Sequence, residues 1–302
     1  MKRGLLPLIA LFVVAGLLLF VPLPIPPTYA GRTIENAGHT PLFFLVTLGV
    51  LLALRANGRY TGAKLYLIAA AIGFGAGFLS EVIQRPLARD ASWEDVFADA
   101  VGTVSALAVY ALFDGRSNLR RWHRFAALIV VVASLAIYLT PIVNMGRAYL
   151  HRNGQFPVLA SFHSHQELYW TLSFGVRREI VDEALEVEFV AGDNPGIAFH
   201  EPVPDWTAYK TLVLDVQNPA AEPLNLGVRV HDRRHTRQFN DRFNRRFDLK
   251  AGERKILRIS LDDIRRGPRN RLMDLAQVSD ITLFKGEKTG SSRLRIHAIR
   301  LE

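Results

Sequence analysis

The chain has 302 residues, no cysteine and a formal net charge of +9. Disulfides, thiolate catalysis and cysteine-based metal sites are therefore excluded. The length allows two domains, and the composition divides sharply: residues 1–145 hold long apolar runs and residues 146–302 almost none.

Five apolar segments read as membrane helices: Leu5 to Ile25, about His39 to Leu54, Leu65 to Ile83, about Asp95 to Phe113, and Phe125 to Val143. A span needs roughly 17–25 residues, so the second is short and the fourth begins polar. Lys2 and Arg3, then Arg55, Arg59 and Lys64, then Arg116, Arg120, Arg121 and Arg124 fall on one side of these spans. The opposite loops hold Arg32, Arg85 and Arg89. Positive charge favours the cytoplasmic side, so the expected N-terminus is cytoplasmic and residues 146–302 are extracytoplasmic. Lys2-Arg3, an apolar core and Thr28-Tyr29-Ala30 also resemble a cleavable signal peptide, which would leave that orientation unchanged. The basic excess between the spans reads as topology, and no nucleic-acid partner is expected.

One stretch interrupts the apolar pattern. Gly73, Gly77, Glu81 and Gln84 are spaced by four, four and three, and share a helical stripe. The two glycines admit a close helix neighbour. Asp95, Asp99 and Gly102 form a second stripe after a short loop carrying Arg85 and Arg89. Antiparallel packing would bring these polar ends to the extracytoplasmic surface, with Glu35 and His39. Ser92, Glu94 and Asp95 fit a helix N-terminus, where the dipole favours acid groups. Glu81 and Gln84 stand at a helix C-terminus, where it does not. Ionisable groups near a bilayer core are costly, so these are functional candidates.

The order E-x-x-Q, Arg, acidic-x-x-x-D-x-x-G, at Glu81, Gln84, Arg89, Asp95, Asp99 and Gly102, resembles the VanZ-like membrane family over about residues 5–115. His39 matches the family's upstream His. Asp99 stands where the family usually has Asn, and the Lys common before the His is absent. The resemblance implies a bacterial inner-membrane, cell-envelope protein and supplies no reaction. It makes His39, Glu81, Gln84, Arg89, Asp95 and Asp99 the catalytic candidates if the protein is an enzyme.

From about Glu167 the pattern becomes period-two alternation, as in Leu185-Glu-Val-Glu-Phe189. It recurs within Tyr209–Gln217, Leu224–Val230, Lys255–Leu261 and Arg293–Leu301. Turn signals separate these runs: Gly192-Asp-Asn-Pro195, Asn218-Pro219, Lys250-Ala-Gly252 and Lys285-Gly286. Many short strands with such turns indicate a β-sandwich or barrel. The expected order is thus a helical bundle at 1–115, a further span at 116–146, a connector at 147–164 and a sandwich at 165–302.

The landmarks Asp205-Trp206-x-x-Tyr209, Arg229-Val-His-Asp232, Phe239 to Phe243, and Leu261-Asp-Asp-Ile264 resemble jelly-roll carbohydrate-binding modules of the galactose-binding-like group. His297 stands where such modules often carry an Asp, against an inherited calcium site. Trp206 and Tyr209 read as core anchors.

Arg229 to Arg246 holds seven Arg, two His, two Asp and two internal Phe. Its charge suits an acidic glycan, a lipid headgroup or a phosphate. The candidate ligand residues are Arg229, His231, Asp232, Arg233, His235, Phe239 and Phe243. His163 and His165 form an H-x-H with only Glu167 nearby, so no metal and no cofactor is expected.

No P-loop, G-x-G-x-x-G, G-x-S-x-G or H-E-x-x-H is present. The leading expectation is a membrane protein whose exported sandwich recognises glycan or lipid-linked saccharide. The alternatives are an intramembrane enzyme acting on an amphiphile and a transporter component.

Overall fold

The computed structural model describes residues 16, 28–84, 93–115, 121–190, 194–286 and 292–302. The first expected span, Arg85 and Arg89 lie outside these, as does the side chain of Gln84. The chain forms two compact units, Met1–Gly146 and Arg147–Glu302.

Among the described residues four helices are long and apolar enough to cross a membrane. They are α1 (Tyr29–Ala56), α2 (Gly62–Gln84), α3 (Trp93–Phe113) and α4 (Arg121–Gln155). Helix α1 begins ten residues before its apolar run. Thr28 caps it, its Oγ1 accepting from Gly31 N at 2.9 Å, and so the polar turns up to His39 are helical too. Helix α3 likewise begins two residues before Asp95, with Glu94 and Asp95 in the first turn, where the dipole favours them.

Small residues set how closely α1, α2 and α3 approach. A Cβ on Gly102 would stand 2.3 Å from Thr40 O and 2.9 Å from Phe44 N, so α3 touches the backbone of α1 there. A Cβ on Gly73 would meet Thr103 Cγ2 at 2.7 Å, and one on Gly77 would meet Asp99 Cβ at 3.0 Å. The G-x-x-x-G stripe thus seats α3. At the far end, Arg55 Nη2 lies 3.2 Å from Asp114 Oδ1.

These contacts give an expected result. Gly102→Ala drives a methyl into backbone that cannot move aside, at a cost of about 1–3 kcal/mol. Gly75 has nothing within 4 Å of its Cβ position, so Gly75→Ala should be neutral or slightly stabilising. Thermal melts of both variants in detergent check the pair, and equal melting temperatures would contradict this packing.

The second unit is a two-sheet antiparallel β-sandwich. Its strands are β1 (Val158–Ala160), β2 (Thr171–Phe174), β3 (Val176–Val181), β4 (Ala184–Phe189), β5 (Gly196–His200) and β6 (Thr211–Gln217). There follow β7 (Leu224–Asp232), β8 (Phe243–Leu249), β9 (Arg254–Ser260), α5 (Leu261–Arg265), β10 (Val278–Lys285) and β11 (Arg293–Leu301). One sheet runs β3-β4-β11-β6-β9, with β1 added beside β11; the other runs β2-β5-β10-β7-β8. Strand β1 draws part of the expected connector into the sandwich. All five alternating runs contain strands, and their inward-facing apolar residues form the core with Trp206, while Ile256 of β9 is exposed.

Candidate functional site

Two groups of polar residues stand out, one in each unit. In the helical unit, His39 of α1, Glu81 of α2 and Asp99 of α3 converge. One ligand-type atom from each lies within 4.8 Å of the other two. His39 Nδ1 and Asp99 Oδ1 are 2.9 Å apart. Asp99 is 2% exposed and Glu81 5%. Asp95, one turn before Asp99, is also buried. Thr40 Oγ1 donates to Ala98 O at 3.1 Å, which fixes α1 against α3 beside the cluster. Helical spacing had suggested the stripes; the packing joins Glu81 and Asp99 to His39.

Next to this lies a cleft of about 460 Å³ between α1, α3 and α4. Tyr29, Arg32, Asn36 and Glu94 supply polar walls, and Phe97 and Ile137 apolar ones. Thr40 and Ala98, the sequence neighbours of His39 and Asp99, also line it.

In the sandwich, the outer face of the β2-β5-β10-β7-β8 sheet carries the second group. Register places Asp280 of β10 opposite His200 of β5 and His231 of β7. Directly opposed residues in an antiparallel pair share a face, so the three side chains meet. Asp280 Oδ2 lies 2.7 Å from His200 Nδ1, and Oδ1 lies 3.7 Å from His231 Nε2. Thr282 Oγ1 donates to Asp280 Oδ1 at 2.5 Å. Burial, with His235 nearby, holds the His231 imidazole below its usual pKa despite the opposing charge of Asp280.

Further along the same face, Gly196 and Gly227 flank Phe284. A Cβ on Gly227 would strike the Phe284 ring at 2.3 Å, so the missing side chain is what lets the ring lie flat. The Arg229 guanidinium sits 5.0 Å from the centre of that ring. Phe174 and Leu172, on edge strand β2, are exposed.

The Arg229–Arg246 stretch divides between roles. Arg229 and His231 lie on the sheet face. His235 stacks on His231 with ring centres 4.5 Å apart. Phe239 is 67% exposed, with Arg242 5.3 Å from its ring centre. Arg233 is exposed. Asp232 is buried and is gripped by Arg271, with Nη1 to Oδ2 at 2.6 Å and Nη2 to Oδ1 at 2.7 Å. Phe243 is buried in the core. His200 and Asp280 were not legible as site residues, because only strand register brings them beside His231. His163 Nε2 lies 3.4 Å from Glu183 in an exposed pair, and Glu167 instead accepts from Ser161 N at 2.6 Å and Phe162 N at 2.9 Å. His297 Nε2 lies 3.3 Å from Gln217 Oε1.

No sequence family matches the chain, and no curated protein does. Solved structures similar to it include a family 11 carbohydrate-binding module from Clostridium thermocellum in complex with a β-1,3-1,4-mixed-linked tetrasaccharide. That similarity has 13% identity and a TM-score of 0.37, over 48% of this chain and 93% of the module. A family 29 carbohydrate-binding module from Piromyces equi is similar at 13% identity and TM-score 0.32, over 48% and 87% of the two chains. An exo-β-agarase is similar at 16% identity and TM-score 0.40, over 48% of this chain and 24% of its own. The chain thus spans under a quarter of that agarase's length.

Proposed function

We propose that the protein is a VanZ-like, multi-pass protein of a bacterial cytoplasmic membrane, with its β-sandwich on the extracytoplasmic side recognising glycan or lipid-linked saccharide. The observation that carries this reading is the outer face of the β2-β5-β10-β7-β8 sheet. Sugar hydroxyls need donors and acceptors in fixed positions, and the apolar faces of sugar rings need flat partners. Arg229, His200 and His231 supply the first, with the two imidazoles held by the buried Asp280 beneath them. Phe174 at the sheet edge and Phe239 in the loop between β7 and β8 supply exposed rings.

The membrane half of the reading is supported by the four apolar helices and by the side on which Arg and Lys gather in the loops. Exposed Leu128, Ile129, Val132 and Leu135 on α4 are the surface that lipid chains would cover.

The test is a glycan array with the full chain in nanodiscs. Binding of a saccharide is expected, and Arg229→Ala should weaken it about tenfold or more, since hydrogen bonds to charged groups contribute about 1.5–3 kcal/mol. Acidification should change affinity as His231 takes up a proton below its ordinary pKa range. An acidic glycan would gain from that charge and a neutral one would lose an acceptor. Absence of any saccharide binding, or wild-type binding by Arg229→Ala, would remove the support.

A second reading is favoured by the convergence of His39, Glu81 and Asp99 beside an amphipathic cleft. On it the protein is an intramembrane enzyme acting on an amphiphile, with Glu81 as acid or base. Glu81→Gln would then abolish turnover of the substrate while leaving the bundle folded.

A further inference from the structure

We propose that His39, Glu81 and Asp99 form a site for one divalent transition-metal ion, Zn²⁺ in the first instance. Three observations combine. The donors come from three different helices and converge with one ligand-type atom each inside 4.8 Å. Ligand atoms around one Zn²⁺ stand about 3–4 Å apart, given bonds of about 2.0–2.2 Å, so small side-chain rotations close the set. Second, Asp99 Oδ1 is paired with His39 Nδ1, while Asp99 Oδ2 is buried with no hydrogen-bond partner among the described residues. A buried carboxylate oxygen left so is costly, and a cation bound there satisfies it.

Third, the donor set selects the ion. One imidazole and two carboxylates carry two negative charges, which a divalent cation cancels inside an apolar bundle. An imidazole nitrogen suits Zn²⁺ and its neighbours, whereas Mg²⁺ and Ca²⁺ prefer all-oxygen sites. Three protein ligands leave a fourth position open, the arrangement of catalytic rather than structural zinc. Packing holds the set in place: Gly77 lets Asp99 lie against α2, and Gly102 lets α3 lie against α1.

The site is independent of what the sandwich binds, so failure of either reading leaves the other standing. The experiment uses the full chain in detergent, stripped with chelator and titrated with Zn²⁺ by calorimetry and with Co²⁺ by visible absorption. About one equivalent should bind, and Co²⁺ should show the intense d–d bands of a low-coordinate N/O site. His39→Gln, Glu81→Gln and Asp99→Asn should each weaken binding about tenfold or more. His163→Gln, in the exposed pair of the other unit, should leave the titration unchanged. Gel filtration identifies variants that keep the fold, and only those are compared. Should none keep it, the wild-type titration alone decides. No saturable binding by the wild type, or unchanged binding by a folded Asp99→Asn, overturns the proposal.

Discussion

Arg271→Met should lower the stability of the sandwich by about 3–5 kcal/mol, the usual loss when one partner of a buried ion pair is removed. Arg271 makes two bonds to Asp232 and a third, Nε to Asp241 Oδ1 at 2.5 Å. Asp232 also accepts from Asp274 N at 2.8 Å, and Asp241 from Thr236 N at 2.7 Å. One guanidinium therefore ties the end of β7 to the loop that carries His235 and Phe239. Without it, the Asp232 charge stays buried and uncompensated. The double variant Asp232→Asn with Arg271→Met should be less damaged than the single effects sum to, because the stranded charge is gone.

The same pair sets the acid limit. Burial alone would raise the Asp232 carboxyl, but the Arg271 bonds outweigh it and hold Asp232 below the usual carboxylate range. Arg271 holds Asp241 lower still, against a smaller opposing effect of burial. A carboxylate depressed in the folded state contributes stability above its unfolded pKa of about 3.9, and loses it as pH falls toward the folded value. The stability that Arg271 adds, read as the difference between the wild type and Arg271→Met, should be constant from neutrality to about pH 5 and shrink steeply below about pH 4. Denaturant titrations of both proteins across that range check this. Parallel curves for the two proteins would show that Arg271 does not set the acid arm.

What could be read from the sequence follows from how each element is covered. Strand β4 alternates between core and solvent, so Leu185, Val187 and Phe189 announced themselves. Strand β10 is buried on both faces at nearly every position, and its sequence shows no alternation to detect. Strand β8 lay hidden in the Arg-rich stretch. Its Phe243 turns inward while Asn244 does not, which is strand periodicity overlaid by charge.

The helical cluster was half legible. Spacing put Glu81 behind Gly77 and Asp99 before Gly102. Topology put Glu35 and His39 of α1 at the same surface, and the family resemblance singled out His39; that His39 reaches Asp99 depends on Thr40 and Gly102 meeting at backbone distance, about which spacing within a single helix carries no information. Asp99 gains its meaning from the same packing, since the partner it reaches is 60 residues away.

Trp206→Ala should cost the sandwich about 3–5 kcal/mol, the range for removing a fully buried large aromatic. Trp206 is 0% exposed, in the loop between β5 and β6. Its Nε1 donates to Val203 O at 2.8 Å, and its backbone N donates to Leu275 O at 2.8 Å. Tyr209 N returns a bond to Trp206 O at 3.0 Å. The indole thus fills the core and fixes the loop leading into β6, so its loss leaves a cavity and an unpaired carbonyl together. Trp206→Phe keeps most of the volume and forfeits the hydrogen bond, and should fall between the two. This series also separates a core anchor from a ligand platform. Trp206 lies in the core between the sheets, whereas Arg229 lies on the outer face of one of them. Below its melting point, then, Trp206→Phe should bind ligand as the wild type does. Reduced binding by a fully folded Trp206→Phe would place the indole in the recognition surface and move the site from the sheet face to this loop.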